Sequence, residues 1–395
     1  MKILVVSFYY PPDLCAGSFR TGALVAAMCE RAPPGTQIDV VTSLPNRYQT
    51  FVARAPELEV SAGLQVRRIG LPTHRSDMGG QARAFFTFAR QALKHVAGRH
   101  YDLVLATSSR LMSAALGAWI ARRKRALLYL DIRDIFVDTI SEVLPPPLAW
   151  PARQLFSRVE SWTMRRADRI NLVSRGFEDY FRRSYGDRPL AWFSNGVDEE
   201  FVAAAPAAAT LGRSAAEVVV LYAGNIGEGQ GLHEVLPQLA AALRGRARFV
   251  VIGDGGRRAV LERALESTDN VELRPPVSRS VLLEAYLAAD VLFLHLGARR
   301  AFEKVLPSKV FEYAALGKPI LAGVAGYAAR FLREEVVNAA VFPPGDVAAA
   351  VHAFASLRRG DYPRPAFVAR YARAAIARAM ADDVLSLGGV RTGSG

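Results

Sequence analysis

Two successive series of short apolar segments, each alternating with helical patterns, limit the folds open to this chain. The first series opens with Lys2–Tyr10, a run rich in β-branched and aromatic residues that ends at a Pro-Pro pair. The second opens with Val218–Ala223. Short apolar runs of this kind are typical of strands buried on both faces of a parallel sheet. The alternation therefore predicts an α/β chain with two parallel sheets.

The length of 395 residues suits two domains. An Ala-rich segment with weak patterning, residues 203–216, separates the two series. We place the boundary near it and predict two Rossmann-like, doubly wound domains, residues 1–200 and 201–364, that face each other across a cleft. Ligands are expected in that cleft, at the carboxyl ends of the strands.

Charge and cysteine content bound the partners and the compartment. The net charge of +13 favours an anionic partner: nucleic acid, an acidic lipid surface or a phosphorylated small molecule. Cys15 and Cys29 form no disulfide framework, so we expect a reducing cytoplasm. No secretory signal is expected, and no apolar run reaches the ~18 residues of a membrane-spanning helix, so any membrane contact is expected to be peripheral.

Residues 81–99 have the pattern of an amphipathic helix. One stripe at helical spacing is apolar: Phe85, Phe88, Ala92 and Val96. A second stripe is basic and carries an aromatic side chain: Arg83, Phe86, Arg90 and Lys94. This second stripe is either a solvated face or a contact surface for an anionic membrane. Residues 153–166, where arginines accompany aromatic side chains, allow the same two interpretations.

A Pro-Ser-Lys turn opens a short predicted helix within residues 306–317. Ser308 is the expected N-cap and Gly317 the expected stop. Lys309 adds a positive charge to the first turn, where free N–H groups and the helix dipole already suit a phosphate. Glu312 is an acceptor for the hydroxyl pair of a ribose. A nucleotide-sugar diphosphate needs this combination, and the alternative is a capped helix with an exposed Lys and Glu.

Two glycine-rich turns follow predicted strands in the second half, at residues 224–231 and 253–256. Glycine lets the backbone approach a pyrophosphate closely. The first turn lacks the Gly-x-Gly-x-x-Gly order, so a nicotinamide-dependent enzyme is a weak rival interpretation. Gly253 and Asp254 either frame a nucleoside together with Glu312 or are ordinary loop residues.

In the first half, Arg133 and Asp134 come directly after the predicted strand 126–132. The carboxyl end of a strand favours a ligand-binding role, and a salt-bridged loop residue is the alternative for Asp134. Upstream, Gly17 is predicted near the apex of a loop that precedes a helix from about Arg20.

The sequence has no Asp-x-Asp pair and no His/Cys cluster at metal-ligand spacing. We therefore expect no metal and no other cofactor. The charge of a leaving diphosphate would be met by Lys309, helix N–H groups and Arg299 or Arg300.

Several motifs, in order along nearly the whole chain, resemble those of the GT4 retaining glycosyltransferases, which have the GT-B fold. In the amino half they are YYPPDLCAGSFR (9–20), LDIRDIF (130–136), ADRINLVSRGF (167–177) and SNGVD (194–198). In the carboxyl half they are LYAGNIGEGQGL (221–232), FVVIGDGG (249–256), AADVLFL (288–294) and LPSKVFEYAALGKPILA (306–322). The pattern looks closest to bacterial polysaccharide enzymes that act on amino sugars in O-antigen synthesis.

The resemblance implies a metal-independent, retaining transfer from a nucleotide-sugar donor, in which the diphosphate leaves on the face that the acceptor attacks. By position, Gly17 would approach the donor phosphate or sugar, Lys309 the diphosphate and Glu312 the ribose. The remaining donor-side candidates are Gly224, Asn225, Gly253, Asp254, Arg299, Pro307 and Ser308.

On the acceptor side, the resemblance implies roles for Arg20, Arg133 and Asp134. Asp134 and Lys309 are the catalytic candidates. The last helix, at about residues 365–390, is implied to pack back on the first domain.

Three positions depart from the family's pattern. The family's Glu-x7-Glu motif keeps its second glutamate, but the first position falls on Lys304. The usual Arg and Lys of the glycine-rich turn fall on Asn225 and Gln230. Lys304, Lys309 and Arg299 are the candidates to supply the missing charge.

We therefore expect a transferase that moves an N-acetylamino sugar from a UDP-linked donor to a lipid-linked glycan, at the cytoplasmic face of the membrane. Two alternatives stay open. A nucleotide-sugar 2-epimerase or hydrolase would need a histidine partner, which the sequence does not place beside Asp134. A non-catalytic nucleic-acid-binding protein would fit the charge, but no recognised nucleic-acid module is present, so no nucleic acid is expected as a partner.

Overall fold

The structure is a computed structural model that describes residues 1–45, 54–72, 78–108, 111–135, 137, 146–210 and 217–389. The chain divides into two compact units, of which the first is Met1–Asn195 with Arg373–Gly395 and the second is Gly196–Ala372. Part of the predicted boundary segment, residues 211–216, lies outside the described residues. Each unit has its own largely parallel sheet with helices between the strands, so the predicted α/β fold class is confirmed.

The first unit begins with the chain's first strand and also contains its last helix. Its strands are β1 (Lys2–Val6), β2 (Gln37–Ser43), β3 (Leu58–Ser61), β4 (Leu64–Ile69), β5 (Leu103–Ser108), β6 (Leu127–Ile132), β7 (Arg169–Leu172) and β8 (Leu190–Ala191). Its helices are α1 (Ala16–Arg31), α2 (Met78–Val96), α3 (Leu111–Lys124), α4 (Pro146–Arg165), α5 (Glu178–Tyr185) and, at the end of the chain, α14 (Arg373–Gly389). The strand order is β3-β4-β2-β1-β5-β6-β7-β8, and only the edge pair β3–β4 is antiparallel among these described strands.

The second unit repeats the strand–helix alternation. Its strands are β9 (Val218–Ala223), β10 (Ala247–Ile252), β11 (Val271–Arg274), β12 (Val291–His295), β13 (Ile320–Gly323) and β14 (Ala339–Phe342), in the order β11-β10-β9-β12-β13-β14. Its helices are α6 (Glu199–Ala203), α7 (Leu232–Ala242), α8 (Arg258–Ala264), α9 (Arg279–Ala288), α10 (Lys309–Ala315), α11 (Gly326–Glu335), α12 (Val347–Ser356) and α13 (Pro365–Tyr371). Short 3-10 helices lie at Arg175–Phe177, Glu228–Gln230 and Arg300–Lys304.

The predicted final helix is two helices rather than one. The break falls at Ala372, whose backbone is extended and pairs with Val197 in an isolated parallel bridge. Helix α13 therefore belongs to the second unit, whereas α14 belongs to the first. Met380 and Val384 of α14 are buried in the same apolar core as Leu24 of α1.

Amphipathic spacing explains how α2 sits on its sheet. Ala84, Phe88, Ala92 and Val96, one turn apart, are buried. Phe85 is half-buried and stacks on Phe8, with ring centroids 6.3 Å apart. The predicted apolar stripe is therefore the buried face of the helix. No helix in the described part of the chain is both long enough and apolar enough to cross a membrane.

A buried ion pair joins α1 to the sheet of the first unit. Nε and Nη2 of Arg20 each donate to a carboxylate oxygen of Asp131, at 2.9 Å. Thr107 Oγ1 and Asn171 Nδ2 donate to the same carboxylate, at 3.1 and 2.7 Å. Burial has the largest single effect on the pKa of Asp131 and raises it, but the charges of Arg20 and Arg133 and the hydrogen bonds from Arg20 and Asn171 together bring the pKa below its usual value.

We expect Asp131→Ala to lower the free energy of unfolding of the first unit by about 3–5 kcal/mol, because it leaves the Arg20 guanidinium buried without its counter-charge. Urea denaturation of the full chain, followed by circular dichroism, measures this.

The matched control is Glu178→Ala, which removes the solvent-accessible pair between Glu178 and Arg182, joined at 2.8 Å. This loss should cost no more than about 1 kcal/mol. If the two variants lost equal amounts of free energy of unfolding, the buried Asp131–Arg20 pair would be no more important to stability than an exposed pair.

Candidate functional site

Lys309 lies over the carboxyl end of β9 in the second unit. Its ammonium is 3.8 Å from the centroid of the Tyr222 ring, a cation–π distance. A Cβ built on Gly224, where φ is +134°, would lie 2.6 Å from Lys309 Nζ. The positive φ favours glycine at position 224, and the missing side chain leaves the space that the Lys309 ammonium occupies. Burial lowers the pKa of Lys309 to about 7, although the charge of Glu312 acts in the opposite direction.

The start of α10 differs from the prediction in its hydrogen bonds. Ser308 stands at the N-cap, but its backbone is helical (φ −60°, ψ −29°) and its side chain makes no capping bond. The N–H groups of Val310 and Phe311 donate to the carbonyls of Pro307 and Ser308, at 3.1 Å each. Two of the N–H donors that were expected to be free for a phosphate are therefore already used within the turn. An anion at this position would depend more on the charge of Lys309 than on backbone N–H groups. Gly317, with φ +70°, ends the helix as predicted.

The two glycine-rich turns lie side by side and are hydrogen-bonded to each other. Gly224 N–H donates to the Ile252 carbonyl at 2.8 Å, and Ile226 N–H donates to the Asp254 carbonyl at 2.9 Å. The Asp254 carboxylate accepts from the N–H of Gly255 at 2.8 Å. Gly253, which lies between Ile252 and Asp254 in the chain, donates its N–H to the Arg274 carbonyl at 3.1 Å. The structure therefore brings Gly224, Gly253 and Asp254 together.

Asn225 and Gln230, which replace the family's Arg and Lys, form a neutral amide pair. Asn225 Nδ2 donates to Gln230 Oε1 at 2.8 Å, and the same oxygen accepts from Gly227 N–H at 3.2 Å. The Tyr222 hydroxyl donates to the Asn225 carbonyl at 2.6 Å. This pair fixes the shape of the turn without adding charge.

His295 holds this turn through a hydrogen bond to its backbone, a role that was not predicted from the sequence. Its Nε2 accepts from Gly345 N–H at 3.2 Å, so Nδ1 carries the proton and donates to the Gln230 carbonyl at 2.6 Å. Burial lowers the pKa of His295 and favours this neutral form. Its partners are 50 and 65 residues away in the chain, so spacing alone could not have identified it.

The remaining charged candidates of the second unit are paired. Nη2 of Arg299 is 2.5 Å from Glu228 Oε1, and Glu228 also accepts from Arg257. Glu312, one turn after Lys309 on α10, has its carboxylate 3.7 Å from Nη2 of Arg279. Arg279 and Tyr222 are neighbours of the candidate site that sequence reasoning missed.

The first unit holds a second cation over a glycine. Gly17 lies in the first turn of α1, not at a loop apex, because the helix begins at Ala16 after the extended residue Cys15. A Cβ on Gly17 would lie 2.2 Å from Nη1 of Arg133. The absence of a side chain at Gly17 therefore makes room for the guanidinium that follows β6.

Asp134 follows Arg133 and has a perturbed acidity. The side chain of Asp134 is exposed, and its partial removal from water raises the pKa of Asp134 to about 6. The Arg133 charge acts in the opposite direction. A carboxyl of this kind exchanges its proton near neutral pH, which suits a hydrogen-bonding role toward a ligand hydroxyl.

Arg20, the third predicted acceptor-side residue, has a structural role. Besides its bonds to Asp131, it donates to the carbonyls of Phe193 and Ser194, at 2.7 and 2.6 Å. These contacts engage every nitrogen of the guanidinium, and the residue is buried. The acceptor-side role predicted for its side chain has no support in these contacts.

In the described part of the chain, no group of three or more His, Cys, Asp or Glu side chains is arranged to hold a metal ion. The functional groups that the fold assembles are cations and carboxylates beside glycines at strand ends. In the second unit they are Lys309 and Glu312, and in the first Arg133 and Asp134. Such groups suit an anionic ligand with hydroxyl groups.

Both halves of the chain match families of sugar-transferring enzymes. Residues 18–196 match the glycosyl transferase 4-like domain, and residues 217–359 match the glycosyl transferases group 1.

Individual proteins are similar over most of the chain. The D-inositol 3-phosphate glycosyltransferase of Kineococcus radiotolerans is 25% identical over 354 residues, which cover 82% of this chain and 78% of that protein. The putative colanic acid biosynthesis glycosyl transferase WcaI of Escherichia coli is 26% identical over 340 residues, covering 80% and 82%.

The fold is also that of solved glycosyltransferases. Anabaena HepE in complex with UDP-glucose has a TM-score of 0.60 at 16% identity, with 100% of each chain covered. These matches confirm the resemblance predicted from the motifs, and the protein belongs to the GT4 family of glycosyltransferases with the GT-B fold.

Proposed function

We propose that this glycosyltransferase moves an N-acetylamino sugar from a UDP-linked donor to a lipid-linked glycan in surface polysaccharide or lipopolysaccharide synthesis. The transfer retains the anomeric configuration and needs no metal ion. The observation that carries the proposal is the position of Lys309 over Gly224, with Glu312 one turn further along the same helix. Two relatives support it by their chemistry, because HepE is seen with UDP-glucose and WcaI is assigned to colanic acid synthesis.

On the donor side, Lys309 meets the diphosphate and Glu312 accepts the hydroxyls of the ribose. The contact of Lys309 is with an aromatic ring, which leaves its ammonium able to turn to a phosphate. The amide pair of Asn225 and Gln230 offers N–H donors but no charge. Lys309 therefore takes over the electrostatic role of the missing Arg and Lys.

The other donor-side candidates shape the pocket around these two groups. Gly224 and Gly253 let the backbone approach the ligand, and Asp254 faces the nucleoside. Pro307 and Ser308 set the start of the Lys309 helix, and Arg299, held by Glu228, adds positive field.

On the acceptor side, Asp134 accepts a hydrogen bond from the attacking hydroxyl, and Arg133 with Gly17 forms the cationic floor next to it. The acceptor proton goes to the departing diphosphate, on the face from which it leaves. A carboxylate with a pKa of about 6 is ionised at neutral pH and is a better acceptor than water for orienting the hydroxyl.

We further propose that the enzyme acts on the cytoplasmic face of an anionic membrane, which it contacts through α2 and α4. The basic stripe of α2 is exposed, and Phe86 within it is 70% accessible. On α4, Trp150 is 71% and Leu155 58% accessible, next to the exposed Arg153. Exposed aromatic side chains among arginines are typical of helices that lie on anionic lipid.

The first prediction for the proposed function concerns Lys309. Lys309→Ala should weaken the binding of UDP and UDP-N-acetylglucosamine by about 10- to 100-fold, because a hydrogen bond to a charged group is lost. Transfer, measured as UDP release in the presence of a lipid-linked acceptor, should fall by at least about 100-fold. Isothermal titration calorimetry measures the binding.

The control is Arg330→Ala, which removes another cation–π contact of the second unit, 5.3 Å over Tyr327. Its nucleotide affinity should equal that of the wild type. An active Lys309→Ala enzyme with normal UDP affinity would refute the assigned site.

The second prediction concerns pH. Because Asp134 acts ionised and Lys309 acts protonated, kcat/KM should rise through pH 6 and fall above pH 7. Lys309→Arg should remove the alkaline fall, since an arginine stays charged, and Asp134→Asn should remove the acid limb. A wild-type profile that stays flat from pH 7 to about pH 9 would contradict the role of Lys309.

The third prediction concerns the membrane. The double variant Phe86→Ser, Arg90→Glu should bind vesicles rich in phosphatidylglycerol at least about fivefold more weakly, because it removes an apolar anchor and reverses a charge. Vesicle co-sedimentation measures the bound fraction.

Arg333→Glu, an equal charge change on an exposed residue of the second unit, serves as the control and should leave binding unchanged. Equal effects of the two variants would indicate a response to net charge alone and would argue against α2 as the contact surface.

A further inference from the structure

Arg279, the first residue of α9, contacts carboxylates from separate parts of the second unit. Its Nη2 is 3.7 Å from Glu312 Oε1. The same guanidinium donates through Nη2 to Asp198 and through Nε to Glu200. Its carbon centre lies 5.0 Å from the centroid of the Phe201 ring. The side chain is therefore fixed on several sides.

The surroundings make this contact important for Glu312. The side chain of Glu312 is 14% exposed and that of Arg279 is 19% exposed, so water has little room to replace either partner. A glutamate side chain has three rotatable bonds, so its carboxylate can point in several directions unless a contact fixes it. The planar guanidinium of Arg279, already held by Asp198 and Glu200, offers a fixed point toward which that carboxylate can turn.

We propose that Arg279 is a positioning residue for nucleotide recognition, which holds the Glu312 carboxylate where it accepts the hydroxyls of the donor ribose. This inference rests on the proposed function, which assigns the ribose to Glu312. The geometry allows both partners at once, because an ionised carboxylate has about four acceptor sites and one oxygen faces Arg279. Arg279 itself need not touch the nucleotide.

The electrostatic arrangement supports this role. Without Arg279, three carboxylates would remain close together, and their mutual repulsion would move Glu312 away from its present position. With Arg279 in place, a positive charge faces the Glu312 carboxylate and offsets that repulsion. The sequence gives no sign of the contact, since the two residues are 33 positions apart.

The test compares UDP with 2′-deoxy-UDP, which lacks one of the two ribose hydroxyls. For the wild type we expect UDP to bind about tenfold more tightly, because the deoxy compound makes one hydrogen bond fewer to a largely buried carboxylate. Arg279→Gln should reduce this ratio to within about twofold, and so should Glu312→Ala. Combining the two changes should reduce the ratio no further, since both act on the same interaction.

The ratio separates positioning from general support of the fold. If Arg279→Gln weakens both nucleotides equally and keeps the wild-type ratio, the inference is overturned and the proposed function stands. A wild type that does not bind UDP contradicts the proposed function, and the inference with it.

Two further variants separate the Arg279–Glu312 contact from the other contacts of Arg279 and from misfolding. Asp198→Asn with Glu200→Gln removes the charges of the other two partners, but the amide oxygens still accept hydrogen bonds from Arg279, so Arg279 stays beside Glu312 and the ratio should be preserved. If circular dichroism shows that Arg279→Gln is unfolded, Arg279→Lys, which keeps the charge but not the planar fork, is measured instead. A lowered ratio then supports the inference and an unchanged ratio overturns it.

Discussion

A long cationic side chain that occupies the space left by a glycine, at the end of a parallel strand, is the interaction on which both candidate sites depend. Lys309 uses the room over Gly224, and Arg133 uses the room over Gly17. In both cases the space that a side chain would fill is occupied by the end of the protein's own cation, which would have to shift if the glycine were replaced. The close approach holds each charge near the sheet edge, where an anion can reach it.

Removal from water shifts the pKa values of the two catalytic candidates in opposite directions, yet it favours the uncharged form of both groups. It lowers the pKa of Lys309 and raises that of Asp134, so in both it favours the neutral form. Each group therefore titrates near neutrality in the free protein. A diphosphate next to Lys309 would favour the charged form again, so that binding the donor and charging the lysine become one event.

Local patterns predicted the strands that open the two units, the strand before Arg133 and the glycine turns, because short-range chemistry decides them; the strands β3 and β14 were not predicted. The helix over Lys309–Ala315 and its stop at Gly317 were predicted for the same reason. Contacts between residues distant in the sequence were not predicted. Arg20 gives its donors to Asp131, 111 residues away, and His295 bonds the Gln230 carbonyl 65 residues away. Gly17 was misplaced by one helical turn, since no capping residue precedes Ala16 to mark the helix start.

The contacts of the second unit show which charges remain near the glycine-rich turn after the family's Arg and Lys are replaced by Asn225 and Gln230. Asn225 and Gln230 carry no charge and are hydrogen-bonded to each other. Arg299 forms an ion pair with Glu228. Glu312 would be the natural counter-ion of Lys309, one turn away on the same helix, but its carboxylate lies beside Arg279. Lys309 lies against the neutral ring of Tyr222, 3.8 Å from its centroid, and the Glu312 charge still favours its protonated form. Under the proposed function, a chain that lacks two of the family's cations would meet the diphosphate chiefly through this one lysine.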